Sequence, residues 1–447
     1  MTPALHRRGW LPWIALAAAL ACAPAAALAQ IDAACLGTWR LQDGRDLDIA
    51  RADDGHYRWR MKDGTSGLLS PAVDGSGWTS TLGWTGRDDG HRVMLADCGR
   101  GRVAFDGVGG ERLAFETVET RFQVQGATLA GRLVLPPGDG PVPVVVLVHG
   151  AERSSAREYY ALQRLFPSAG IGAFVYDKRG TGGSTGRYTH DYLTLAVDAI
   201  AARNEALRLA GARAGASGYQ AGSQGGWVAP LAATIEPVDF VVVSFGLAVS
   251  PLDEDREAIV LDMERHGHGA VELEKAMQVA DATAEILRSN FREGYEELEA
   301  LRRRYGGEPW FADVRGNATF FLLENDEQML RTDGPALFPG IPLDYDPMPV
   351  LRNLRVPQLW VLGGEDIDAP HAETERRLRA LAAQGAPIQV TVFPDAEHGM
   401  YEFETGPEGE RLSTRQPAGY FPLMRDFILS SRPGAAAGGR VTAPAGR

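Results

Sequence analysis

The chain has 447 residues, 45% hydrophobic and 23% charged, a composition ordinary for a soluble globular protein and rich enough in apolar side chains for two cores. Its formal charge of −13 at pH 7 argues against nucleic acid or an anionic membrane surface as an electrostatic partner. Lys62, Lys178 and Lys275 are the only lysines, so nearly all positive charge is arginine.

The N-terminus reads MTPALHRRGWLPWIALAAALACAPAAALAQ. Arg7 and Arg8 precede an apolar stretch that ends in Ala27-Leu28-Ala29, the pattern of an export leader over residues 1–29 with cleavage after Ala29. The alternative is a membrane anchor, which Pro12, Pro24 and the short Ala-rich run disfavour. Cys22 is a candidate lipidation site, although Ala19 stands where a larger aliphatic residue is preferred, and the paired arginines are compatible with export of a folded chain. The reading predicts a periplasmic or secreted protein with no stable membrane span after processing. Removal of Arg7 and Arg8 takes two positive charges from −13 and leaves −15. Cys35 and Cys98 then remain, and in an oxidising compartment they predict a disulfide contributing on the order of 4 kcal/mol in the chain-entropy model, against the alternative of two unpaired buried thiols.

Residues 30–118 are rich in Gly, Asp and Trp and carry short alternating runs such as GHYRWRM, GWTSTLGW and GERLAFETV. Alternation between turn signals predicts half-buried antiparallel strands and a small all-β domain. Trp39, Trp59, Trp78 and Trp84 read as core in such a domain, with a sugar-binding platform as the alternative.

After Thr120 the pattern changes. FQVQGATLAGRLVLP reads as a hairpin, followed by the apolar runs VPVVVLVHG, IGAFVYDKRG, VDFVVVSFG, VPQLWVLGGED and PIQVTVFPDAEH. Continuous Val, Leu and Ile suit strands covered on both faces. Helical stretches separate them, REYYALQRLFPSAG and LTLAVDAIAARNEALRLAG among them, with apolar residues three and four apart. This predicts an α/β fold, a doubly wound, mostly parallel sheet over residues 119–432. The charged helical interval 248–343 breaks the alternation and predicts a helical cap inserted at the carboxyl ends of the strands, where such sheets bind ligands. Residues 433–447 are too poor in large apolar residues to pack and read as a disordered tail.

Ala221-Gly222-Ser223-Gln224-Gly225 is close to a nucleophile elbow, a strand-to-helix turn so sharp that only small residues fit two positions before and after the serine. Ser223 needs a base and the base needs an orienting carboxylate. His398 in FPDAEHGM and Asp366 in VLGGEDIDAP each follow an apolar strand, in the chain order Ser, Asp, His that this fold requires. Asp368 and Glu365 compete with Asp366, and His371 competes with His398. An oxyanion hole is predicted from the backbone NH groups of Ala151, after the strand ending in His149-Gly150, and of Gln224 at the helix start. His149 itself reads as a strand-end structural residue, and His266 with His268 as a solvated turn rather than a metal site.

The motifs VLVHG, YDKRGTGGSTG, AGSQGGWVAP, GGED and EHGM resemble those of exported bacterial α/β-hydrolases related to prolyl-oligopeptidase-like and acyl-hydrolase groups, from about Thr120 to Arg432. The resemblance implies the α/β-hydrolase fold, a Ser223, Asp366 and His398 triad, and a structural turn over Asp177 to Gly183 near the site. Ala221 departs from the family's usual glycine, and Gln220 places an amide in a strand that is otherwise apolar, where it needs buried partners.

These readings predict a serine esterase acting on small to medium acyl substrates through an acyl-enzyme, chemistry that needs no metal or organic cofactor. A peptidase acting on a short peptide is the nearest alternative, and Glu152 or acidic residues of the cap are candidates to hold its terminus. A non-enzymatic binding protein that works through its β domain is an alternative of another class.

Overall fold

The computed structural model describes residues 30–52 and 55–432. Residues 1–29, read above as a leader with Cys22, and residues 433–447, read as a tail, lie outside the described residues. The chain divides into two compact units.

The first unit holds the described residues through Leu113 together with Tyr401–Ala418. Eight strands between Gly37 and Arg112 form a closed barrel, each antiparallel to its neighbour, with Gly37–Leu41 meeting Val108–Arg112 to close it. Closure leaves the barrel without a free edge. Alternation fills it with Trp39, Leu41, Leu47, Ile49, Trp59, Val93 and Phe105. The two central tryptophans are core, as predicted; Trp59 donates from its indole nitrogen to Ser80 Oγ at 2.6 Å. Cys35 and Cys98 are joined by a disulfide, their Cα atoms 4.9 Å apart. The hairpin Glu402–Thr405 and Arg411–Arg415 belongs to this unit. Trp84 donates its backbone NH to Ser413 O at 2.8 Å, and Gln416 donates to Gly64 O at 3.0 Å. Trp84 is partly buried, with the guanidinium of Arg58 stacked 3.2 Å from its ring centroid.

The second unit holds Ala114–Met400 and the described residues from Gly419. Its eight-stranded sheet runs Ile388–Phe393, Gln358–Gly363, Phe240–Ser244, Ala214–Gly222, Val142–Val148, Gly172–Tyr176, Ala127–Leu135, Glu116–Val124. The first six are parallel, and the last two form the predicted hairpin at the antiparallel edge. Gln125 and Gly126, at φ 43° and 75°, make a turn with two positive φ angles, the kind whose twist matches flanking strands. Alternate residues of each strand enter opposite cores. Val144, Val146 and Val148 join Tyr219, Val243 and Trp360 beneath the helices Tyr192–Ala210, Gly225–Ile235 and His371–Ala383. Val145 and Leu147 join Val175, Val242 and Leu359 against Leu162–Ser168 and Tyr420–Ser430. Burial on both faces is why these strands read as unbroken apolar runs.

Five α-helices from Pro251–Arg265 to Glu327–Leu337 lie between the strands Phe240–Ser244 and Gln358–Gly363, with a core of their own around Ile259, Val279, Ile286, Leu298 and Leu322. The stretch expected as one helix over REYYALQRLFPSAG is two, Ala156–Tyr159 and Leu162–Ser168. The break is stable because the buried Gln163 amide nitrogen donates to the released carbonyls of Arg157 at 3.0 Å and Tyr160 at 2.8 Å. Among the described residues no helix is long and apolar enough to cross a membrane.

Candidate active site

The strand Ala214–Gly222 turns into the helix Gly225–Ile235 at Ser223, whose φ is 51°. A side chain with positive φ is costly and persists only where its surroundings fix it. Here Ser223 NH donates to Ser244 O at 3.2 Å, and its carbonyl accepts from Gly226 NH at 2.7 Å. The small flanking residues are required by space. A Cβ on Gly225 would stand 2.6 Å from Val148 O and 3.1 Å from the Ala221 methyl, so alanine fits at 221 because glycine occupies 225. The buried Gln220 amide reaches Ala221 O at 3.3 Å and Ser244 Oγ at 3.5 Å, and Tyr420 OH lies 2.8 Å from that same Oγ. These are the partners its position demands.

His398 stands with its Nε2 3.1 Å from Ser223 Oγ and its Nδ1 2.9 Å from Asp366 Oδ2. Asp366 is 2% exposed, and its Oδ1 accepts from the backbone NH groups of Asp368 at 3.0 Å and Ala369 at 2.8 Å. These bonds aim the carboxylate at the imidazole; Asp368 holds Asp366 through its backbone, and Glu365 pairs with Arg265 at 2.7 Å. His371 begins the helix His371–Ala383. The Phe245 ring stands edge-on to His398, centroids 5.0 Å apart. Burial pulls the imidazolium pKa down, but the charge and hydrogen bond of Asp366 outweigh it, and the pKa stands at about 9.

Gly150 packs against the elbow; a Cβ there would be 3.2 Å from Ser223 Cβ. Neither Ala151 NH nor Gln224 NH donates to another group among the described residues. His149 is buried, accepts from Lys178 NH at its Nε2 at 2.9 Å, and places Nδ1 3.4 Å from Glu152. Glu152 also accepts from Tyr160 OH. Burial works against its charge, but His149, Lys178 and Tyr160 hold its pKa at about 2. It is thus already committed within the protein. His266 and His268 both face Asp313, at 3.7 and 2.7 Å.

The helical insertion reaches the loops that carry these groups. Asn317 donates to Asp368 O at 2.7 Å, and Arg153 donates to Ala336 O at 2.8 Å. Glu254, in the first turn of Pro251–Arg265, feels the charges of His398, Asp366 and Asp368, and burial pushes its carboxyl well above the usual range. The sequence alone assigns no role to Glu254 or Phe245, and places Lys178 only within the structural turn over Asp177 to Gly183. For Lys178 a signal existed, one of only three lysines in an arginine-rich chain, placed between an apolar strand and a glycine turn.

The chain is 26% identical over 285 residues to the esterase EstD of Thermotoga maritima, covering 62% of this chain and 59% of that protein, so it spans less than two thirds of the relative's length. Among solved structures, the Pyrococcus horikoshii acylaminoacyl peptidase shares 16% identity at a TM-score of 0.44, over 88% of this chain and 57% of that one. A Pyrococcus furiosus esterase shares 14% at a TM-score of 0.41, over 64% and 85%. The family model described as "Alpha/beta hydrolase family" matches residues 145–408, more than half of the sequence, and the chain belongs to the alpha/beta hydrolase family.

Proposed function

We propose that the protein is a serine hydrolase that cleaves carboxylic esters of small to medium acyl groups through a Ser223, His398 and Asp366 triad. The observation that carries this is the unbroken relay from Asp366 to His398 Nδ1 at 2.9 Å and from His398 Nε2 to Ser223 Oγ at 3.1 Å. In the proposed reaction Ser223 Oγ attacks the ester carbonyl carbon while His398 Nε2 takes its proton. The two free NH groups of Ala151 and Gln224 bind the oxyanion, and collapse expels the alcohol with the proton returned by His398. Water deprotonated by His398 then attacks the acyl-enzyme and releases the carboxylic acid and free Ser223. Asp366 keeps the proton on Nδ1 and balances the imidazolium. The esterase relative at 26% identity supports an ester substrate. The proposal extends to location: the leader pattern of residues 1–29 and the Cys35–Cys98 disulfide support export to an oxidising compartment.

Turnover of p-nitrophenyl acetate and butyrate, beside a matched aminoacyl p-nitroanilide, tests the reading. Ester turnover that falls roughly 10⁶-fold in Ser223→Ala supports it. Faster cleavage of the amide would replace the esterase with a peptidase, and ester turnover untouched by Ser223→Ala would remove the triad.

A further inference from the structure

Behind the two free NH groups lies a buried ammonium that this hydrolytic scheme does not use. Lys178 is 3% exposed. Its Nζ donates to Gly150 O at 2.6 Å and to Gln224 Oε1 at 3.4 Å, and stands 4.8 Å from the centroid of the Tyr188 ring.

The bond to Gly150 bears directly on Ala151. The Gly150 carbonyl and the Ala151 NH belong to one planar trans peptide, in which the two bonds point in opposite directions. An ammonium that fixes the oxygen on one side therefore aims the NH to the other, and its charge polarises the amide toward stronger donation. Tyr188 OH donates to Ala151 O and fixes the next peptide in turn. Gln224 is held at both ends of its side chain, Oε1 by Lys178 and Nε2 by His190 Nδ1 at 2.6 Å. Burial, with the charges of Lys178 and Arg153, depresses His190 to about 3, so its ring is neutral and Nδ1 accepts from the amide.

We propose that Lys178 is the positioning residue of the oxyanion hole, one ammonium that ties the peptide bearing the Ala151 NH to the residue bearing the Gln224 NH. The inference rests on the serine-hydrolase reading of the site. Lys178 touches no substrate and acts through two backbone donors, so its loss falls on the tetrahedral transition state rather than on the bound ester. The groups that face it are Glu152, Arg153, His149, Tyr188 and His190. Burial lowers its pKa to about 8, with Glu152 opposing and Arg153 adding to the shift. A neutral amine donates more weakly and no longer polarises the peptide, so an alkaline decline in kcat accompanies its deprotonation.

The test is steady-state hydrolysis of p-nitrophenyl butyrate by the full chain, Lys178→Met and Lys178→Arg between about pH 6 and pH 10, with inhibition by butaneboronic acid. Lys178→Met is expected to lower kcat about 100-fold with KM within about threefold, to weaken the tetrahedral boronate adduct in parallel, and to lose the alkaline decline. Lys178→Arg keeps the charge, recovers part of kcat and moves the decline to higher pH. A folded Lys178→Met with wild-type kcat and boronate affinity overturns the proposal. Should Lys178→Met fail to fold, Lys178→Arg decides, and an alkaline limb identical to wild type overturns it. An inactive wild-type chain would sink the hydrolase reading and this inference together, whereas an active wild type with unaffected variants would sink the inference alone.

Discussion

Ser223 carries a positive φ that its neighbours hold, and His398 is half-buried against Phe245 with a carboxylate behind it. The serine is presented by backbone strain and the histidine by charge. Because Asp366 raises the His398 pKa to about 9, the base is protonated at lower pH and cannot accept the Ser223 proton. Ester turnover is therefore expected to rise with pH as His398 loses its proton, to flatten where Lys178 begins to lose its own at about 8, and to decline above about 9. Asp366→Asn removes the raising charge and leaves burial, so the acid limb of the pH profile moves to lower pH while kcat falls by about 10⁴-fold. An acid limb that stays in place in Asp366→Asn would show that another carboxyl sets the pKa.

At the scale of elements, the disulfide links the turn Ala33–Cys35 to Cys98–Arg100 near the two ends of the barrel sequence. Its removal in Cys35→Ser with Cys98→Ser is expected to destabilise the barrel by about 4 kcal/mol, read as a lower midpoint in urea by tryptophan fluorescence. An unchanged midpoint would mean that the barrel core suffices alone. The elbow was legible in the sequence because its steric demand is local, three small residues around one serine. The parallel strands were legible because burial on both faces writes itself as Val and Leu runs. The split between Tyr159 and Leu162 was not, since it depends on one folded side chain, Gln163, reaching carbonyls that only the break releases. Nor was the role of Lys178, which requires the strand ends at Gly150 and Gln224 to be brought side by side.

Across the whole molecule, the chain passes from the hydrolase unit to the barrel unit soon after His398 and returns at Gly419. The local pattern of residues 401–418 does not say which core they join, because that choice is made by distant partners: Trp84, Gly64 and Arg87, whose guanidinium lies 2.7 Å from Glu404. A chain beginning at Ala114 would strip the hairpin of those partners. It is expected to be cut by trypsin at Arg411 or Arg415 and to turn over ester more slowly than the longer chain. Equal protease resistance and equal turnover would show that the hairpin holds itself.

The proposed hydrolysis stands or falls with Ser223 being an activated nucleophile. Fluorophosphonate labelling, followed by mass spectrometric mapping of the modified peptide, measures this most directly. A single adduct on Ser223 that disappears in Ser223→Ala and His398→Ala is expected; folded wild-type protein that takes no label, or takes it on another residue, would rule out Ser223 as the nucleophile.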